Sequence, residues 1–494
     1  MLNAVVYVYI KSAHITISIL WIVFAERGVA MFRRIISAAL SVLILTCALA
    51  SCSPAKSGED TGTELSASYS AQSRSDESDI DSDISSEPDD SGDKADVFDS
   101  DSPPESQTPS AAEQVAEATT EPKEVRGMWI AFFELYPMFD VGKDFKEEFA
   151  AALDKCAEYG INTVYVHVRS HCDAFYKSSL FPWSKYVNGV DGTQGRDPGF
   201  DPLEIMISLA HERGIEFHAW INPYRVLKDS TDLSQLSDDN PAKKWLTDDD
   251  ESNDNFVTEC KGGLYLNPAE PQVQRLIADG VREIVQNYDV DGIHFDDYFY
   301  PTTDESFDEA QYAAYRASVN SNPLPLGDWR RANVNAMVST VYNAVKSIKS
   351  DCIFGISPMA SIKNNYNTVF ADVKAWLDLG IVDYIMPQLY FGFEYPDDKS
   401  KFDNLLSEWD ALFAEREQNL YIGLGSYRVG STDSNHAEWS ERDDVLSRQI
   451  ALLRSDGISD GFVLYSYTTF FKNDELSEAV RNSFIAAVTQ KTGD

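Results

Sequence analysis

From residue 124 onward the sequence switches eight times between a short apolar run and a longer segment of helical period. No other feature restricts the fold as strongly. A strand–helix–strand repeat buries both kinds of surface only when the strands lie parallel and the helices cover them. The runs predict strands at Val125–Ala131, Thr163–Val168, Glu216–Ile221, Gly292–Asp296, Ile353–Ile356, Tyr384–Pro387, Tyr421–Leu424 and Phe462–Tyr465. Helical period fills the intervals, for example 144–160, 201–214, 271–288 and 328–349. Gly160 and Gly214 stand where a helix C-cap needs a left-handed residue, and Pro202 and Pro271 stand near helix starts. Eight such units over 124–494 predict an α/β fold, a (β/α)8 TIM barrel with long βα loops. A doubly wound open sheet is the alternative, but no GxGxxG follows any predicted strand.

Three loops, 169–200, 222–270 and 297–327, exceed what a connector needs. All follow strand C-termini, the face on which barrel active sites form. Strand alternation then selects side chains. In the second strand Val164, Val166 and Val168 share one face, and Tyr165, His167 and Arg169 the other. In the third, Phe217, Ala219 and Ile221 oppose His218, Trp220 and Asn222. In the fourth, Ile293 and Phe295 oppose His294 and Asp296. The apolar sets should meet the helices, so the polar sets are expected to point into the barrel. His167 and His218 lie deep in their strands, where a packed core role competes with a functional one. Arg169, Asn222 and Asp296 lie at strand ends, where function is favoured, and Asp297 follows at the turn. Tyr224, Tyr298, Tyr390 and Tyr427 belong to an aromatic crowd at the same rim, joined by Trp220 and Gln388, and sugar rings stack on such faces.

Charge narrows the partners. The chain holds 80 acidic and 41 basic residues, a formal balance of −39, and residues 124–494 alone hold 60 and 33, a balance of −27. That argues against nucleic acid and against an anionic bilayer held by surface charge. A bilayer enters by another route. Arg33 and Arg34 precede an apolar stretch, 35–48, and then Leu49-Ala50-Ser51-Cys52, which resembles a bacterial lipobox with Cys52 as the lipidated residue. Residues 1–30 read as an over-called start upstream of Met31. Residues 53–123, rich in Ser, Asp, Glu and Pro, lack the apolar side chains to offset ordering and are expected to be a disordered linker. Residues 53–494 are therefore expected outside the cytoplasm, tethered to the cell membrane. Cys156, Cys172, Cys260 and Cys352 form no CxxC pair and leave any disulfide unassigned.

The blocks VRGMWIAFF, HAWINPYRV, YLNPAEPQV, VDGIHFDDYFYP, FGISPM, VDYIMPQLYF and YIGLGSYRVG resemble the glycosyl hydrolase-like 10 family of bacterial envelope proteins. The resemblance spans 124 to about 470 and implies a (β/α)8 glycoside hydrolase acting on cell-wall glycan, with one branch cutting peptidoglycan strands stripped of peptide stems. The fourth-strand block is also distantly similar to that of the α-amylase family. That similarity makes Asp296 the nucleophile, with His294 where that pattern has Arg. The Glu that the same pattern puts on strand five is absent from FGISPM. Asp297, Glu134 and Glu394 remain as acid candidates. Arg169, His218, Trp220, Asn222, Tyr224, His294, Tyr298, Gln388, Tyr390 and Tyr427 are the substrate-binding candidates. The expected partner is a polysaccharide, with no cofactor and no metal, on a monomer. Two rivals stand beside it: a non-catalytic glycan binder, and a metal-dependent hydrolase using His171, Asp173, His218, His294 and Asp296.

Overall fold

A computed structural model describes residues 124–188, 194–319, 321–431, 433–472 and 478–489. The expected leader at 31–52, with Cys52, and the expected linker at 53–123 lie outside the described residues.

Eight parallel strands close into a barrel in chain order. They are β1 (Val125–Ile130), β2 (Thr163–Arg169), β3 (Glu216–Ile221), β4 (Gly292–Phe295), β5 (Ile353–Ile356), β6 (Tyr384–Ile385), β7 (Asn419–Leu424) and β8 (Gly461–Leu464), and β8 pairs back onto β1. One outer helix follows each strand: α1 (Phe145–Glu158), α2 (Pro202–His211), α3 (Pro271–Asn287), α4 (Leu326–Ile348), α5 (Val373–Leu379), α6 (Phe402–Phe413), α7 (Val445–Asp456) and α8 (Glu478–Thr489). The open-sheet alternative is excluded by closure.

Local chemistry sets the helix ends. The Asp144 carboxylate accepts from the backbone N–H groups of Lys146 and Glu147, and Asp201 does the same for Leu203 and Glu204. Gly160 and Gly214 adopt φ of 75° and 65° just before β2 and β3. Along α3, Val273, Ile277, Val281, Ile284 and Val285 recur at helical spacing and are buried.

Strand alternation separates two apolar layers. Val164, Val166, Phe217, Ala219, Ile293 and Phe295 pack outward with the helices. Trp129, Tyr165, Trp220, Tyr384, Met386, Tyr421 and Val463 fill the barrel lumen as a second cluster. Glycines make room there: a Cβ on Gly355 would collide with the Tyr384 ring, and one on Gly292 would stand 2.5 Å from His218 Nδ1.

One strand breaks the alternation. Between β2 and β3, His167 pairs with Trp220 but Arg169 pairs with Ile221, so one extra residue sits on β2. A bulge of this kind turns the following side chain to the other face. Arg169 therefore points out of the barrel, not into it as the sequence predicts. Its guanidinium lies 4.6 Å from the Phe181 ring centroid and against Gly280 of α3, where a Cβ would meet it.

The long loop after β3 folds into a three-stranded antiparallel sheet of Arg225–Leu227, Gly263–Leu266 and Val257–Cys260, with Gly263–Leu266 central. The loop after β4 carries a ten-residue helix, Glu309–Ser318. Among the described residues Cys156, Cys172, Cys260 and Cys352 are free.

Candidate active site

β4 ends at Phe295, and Asp296 continues the inward series begun by His294. Its carboxyl is buried, with 3% of the residue exposed. Oδ2 accepts from Trp220 Nε1 at 3.0 Å and Asn222 Nδ2 at 3.2 Å, and Oδ1 accepts from the Tyr298 backbone N–H at 3.3 Å. Trp220 is held in turn by His167, whose ring stacks on the indole at 3.8 Å and 11°. Asn222 Oδ1 accepts from the backbone N–H groups of Tyr224 and Arg225. The side chain that grips Asp296 therefore also shapes the turn presenting Arg225. The Arg225 guanidinium lies 4.5 Å from the Tyr298 ring centroid.

Burial first, and then the negative charge of Asp297, push the Asp296 carboxyl up to about 8. Arg225 and the Trp220 hydrogen bond oppose that rise. Burial and the neighbouring carboxylate thus both favour the neutral form of Asp296.

Below this group lies a sealed polar floor. Trp129 Nε1, which only donates, faces His294 Nε2 at 3.2 Å. In the neutral ring the His294 proton is thus on Nδ1, donated to the Tyr384 hydroxyl at 2.9 Å. Tyr384 then gives its own proton to His218 Nδ1 at 3.2 Å. Burial holds both histidines below their usual range, with His218 at about 4, so both are neutral in this chain.

Above Asp296 the mouth is aromatic. Tyr390 stacks on Tyr465 with centroids 5.6 Å apart, and Tyr427 meets both edge-on. Phe132 and Tyr186 approach to 4.9 Å on the side of β1 and β2. Gln388 Nε2 donates to the Ser357 carbonyl at 3.1 Å and ties the ends of β6 and β5 together.

The model of the glycosyl hydrolase-like 10 family matches residues 124–441. The chain belongs to that family. The match takes in β1 to β7, hence Asp296, Asp297 and Arg225, while β8 and Tyr465 lie beyond it. Among relatives, the glycosyl hydrolase YngK of Bacillus subtilis is 36% identical over 349 residues, 67% of this chain and 65% of YngK. The glycosyl hydrolase DigH of Escherichia coli K12 is 30% identical over 428 residues, 79% of this chain and 93% of DigH. This chain therefore spans a little less than two thirds of YngK and nearly all of DigH. A solved structure, the PgaB (BpsB) glycoside hydrolase domain from Bordetella bronchiseptica, superposes with a TM-score of 0.48 at 14% identity, covering 74% of this chain and 99% of that one. At that likeness it adds nothing to the argument.

Within this glycosyl hydrolase-like barrel the structure gathers Asp296, Asp297, Trp220, Asn222 and Tyr298 at one point, with Tyr390, Tyr427 and Gln388 around the same mouth. Other predicted residues fall elsewhere. Arg169 faces α3. His218 and His294 form the floor, each with 1% or less of its surface exposed. Tyr224 is buried in the main apolar core. Glu394 is exposed, its backbone N–H donating to Glu438, and so lacks the apolar walls an acid needs. Glu134 is buried but engaged: it accepts from Ala131 N, Ser466 Oγ and Thr468 N and so ties the loop after β1 to the loop after β8. Among the described residues no three His, Cys, Asp or Glu side chains meet as a metal site.

Arg225 is the residue the sequence reading passed over. It stands in HAWINPYRV, but past the end of β3, where strand alternation no longer says which way a side chain turns.

Proposed function

We propose that this protein is a glycoside hydrolase of the extracytoplasmic face, lipid-anchored through Cys52, that cuts cell-wall glycan strands with Asp296 as proton donor. The observation that carries this reading is the buried Asp296 carboxyl beside a second carboxylate in an aromatic barrel mouth, where burial pushes it up to about 8. Glycosidic cleavage needs a carboxylic acid that keeps its proton near neutral pH and a carboxylate nearby. Asp296 passes its proton to the leaving oxygen as the bond from the anomeric carbon to that oxygen breaks. Asp297 supplies the negative charge that stabilises the cationic carbon, water adds there, and the water's second proton restores the acid. This reverses the roles that the α-amylase-like motif implies, because the burial of Asp296 favours its neutral form. Stacked tyrosines suit sugar rings, and the two relatives bear the name glycosyl hydrolase.

The test is to incubate the purified chain with intact and amidase-treated peptidoglycan and weigh the products. New reducing ends that vanish with Asp296→Asn are expected. The strand-five position that lacks a carboxylate, Ser357, favours a second reading, a glycan binder without turnover. Glycan retained on the protein with no reducing ends released would establish that reading instead.

A further inference from the structure

The loops that supply aromatic faces to the mouth meet at one buried carboxyl that the proposed chemistry does not use. Glu134 sits in a four-residue helix, Phe132–Leu135, just past the end of β1, and 3% of it is exposed. Its Oε2 accepts from the Ala131 backbone N–H at 2.8 Å. Its Oε1 accepts from the Ser466 hydroxyl at 2.7 Å and from the Thr468 backbone N–H at 2.5 Å. The ladder between β1 and β8 ends at Met128 and Leu464. Above that last rung the two chains become loops, and Glu134 carries the connection upward.

The connection leads to the tyrosines. Ser466 follows Tyr465 and is the N-cap of the helix Tyr467–Phe471. The Tyr465 carbonyl accepts from the Ser426 hydroxyl at 2.8 Å and from the Tyr427 backbone N–H at 3.3 Å. The rings follow their backbones: Tyr465 stacks on Tyr390 and meets Tyr427 edge-on. On the other side of the seam Phe132, two residues before Glu134, faces Tyr186. One carboxyl thus sets the loops after β1 and β8 against each other, and the loop after β8 in turn holds the loop after β7.

A carboxyl is the group this position needs. Each of its oxygens faces a backbone N–H. An amide in its place has one oxygen and one NH2, so it would set donor against donor on one side whichever way it turned. Stability alone does not call for this arrangement, because apolar groups of the same shape would join two loops at little loss. A fully satisfied polar tie fixes one geometry where apolar packing tolerates several. We propose that Glu134 is a positioning residue for glycan binding, which holds the Tyr465, Tyr390 and Tyr427 rings in the arrangement that grips a sugar. The inference rests on the reading of the mouth as a glycan site and gives a role to a carboxyl outside the proton transfer.

The test is run on the purified full chain with amidase-treated peptidoglycan strands. Glu134→Gln should raise KM roughly tenfold, the worth of one good aromatic contact, and leave kcat within about twofold. Ser466→Ala removes one of the three hydrogen bonds and should raise KM by a smaller factor at the same kcat. A merely structural carboxyl would lower the folded fraction, and with it kcat, while KM stayed fixed. Unchanged KM in both variants, or a fall in kcat at constant KM, overturns the proposal. Calorimetric titration with the same strands separates this outcome from a failure of the cleavage reading. If no reducing ends are released but Glu134→Gln binds the strands roughly tenfold more weakly than the unaltered protein does, cleavage fails and the positioning role stands. Equal binding by the two proteins overturns that role. If the unaltered protein neither cuts nor binds the strands, both readings fall.

Discussion

Asp296 is the residue on which most of the proposed chemistry turns. Strand alternation was enough to aim it inward, since His294 and Asp296 lie two apart on β4. Its protonation was not legible, because that depends on Trp220, Asn222 and Asp297 closing around it in space. Asp296→Asn keeps the shape and removes both proton and charge. Turnover should fall by roughly 10³-fold or more, about 4 kcal/mol of barrier, in single-turnover assays with the fold intact by circular dichroism. The unaltered protein should lose kcat/KM as pH rises through about 8, where Asp296 gives up its proton. Stability carries the same sign. The folded pKa is raised above the ordinary 3.8, so the group's contribution is fully present below that value and is lost as pH rises through about 8. Asp296→Asn should therefore gain stability over the unaltered protein as pH increases across that window, by on the order of a few kcal/mol in urea unfolding at pH 9. Equal pH dependence of the two proteins would mean that Asp296 is ionised in the fold, and would remove it as the acid.

The elements were more legible than the side chains they carry. All eight strands lie within a residue or two of where apolar runs placed them, because a strand buried on both faces leaves a continuous signature. Arg169 was misplaced by one inserted residue. Nothing in Thr163–Arg169 marks a bulge, since the cause is the register with β3. His218 and His294 were aimed inward correctly and both are buried, but alternation gives a side and not a height in the barrel, so it left open whether they line the site or its floor. Their role as floor makes its own prediction. Tyr384→Phe removes the hydroxyl joining the two rings and leaves a buried donor on His294 and a buried acceptor on His218 without partners. That should cost about 2–4 kcal/mol in chemical denaturation. The KM for glycan should stay within twofold, since both rings are buried. A raised KM with unchanged stability would put the histidines back in the binding site.

At the scale of the whole molecule, charge and anchor have to be reconciled. The balance of −39 repels an anionic bilayer, so attachment through surface charge is not available to this chain. The expected leader suggests another route, a diacylglycerol on Cys52, and two acyl chains suffice for stable anchoring where one does not. The reading therefore makes a prediction that separates lipid from charge. Expressed with its leader in a bacterial host, the chain should sediment with membranes and stay there through a high-salt wash, which screens surface ion pairs but leaves acyl chains buried. Detergent should release it. Cys52→Ala should appear in the soluble fraction or persist as a heavier, unprocessed precursor. Release of the unaltered chain by salt alone would contradict lipidation. A glycan-cutting barrel held this way acts only on wall within reach of its tether, so the Cys52→Ala variant should retain activity on soluble glycan in vitro while releasing less material from intact cells.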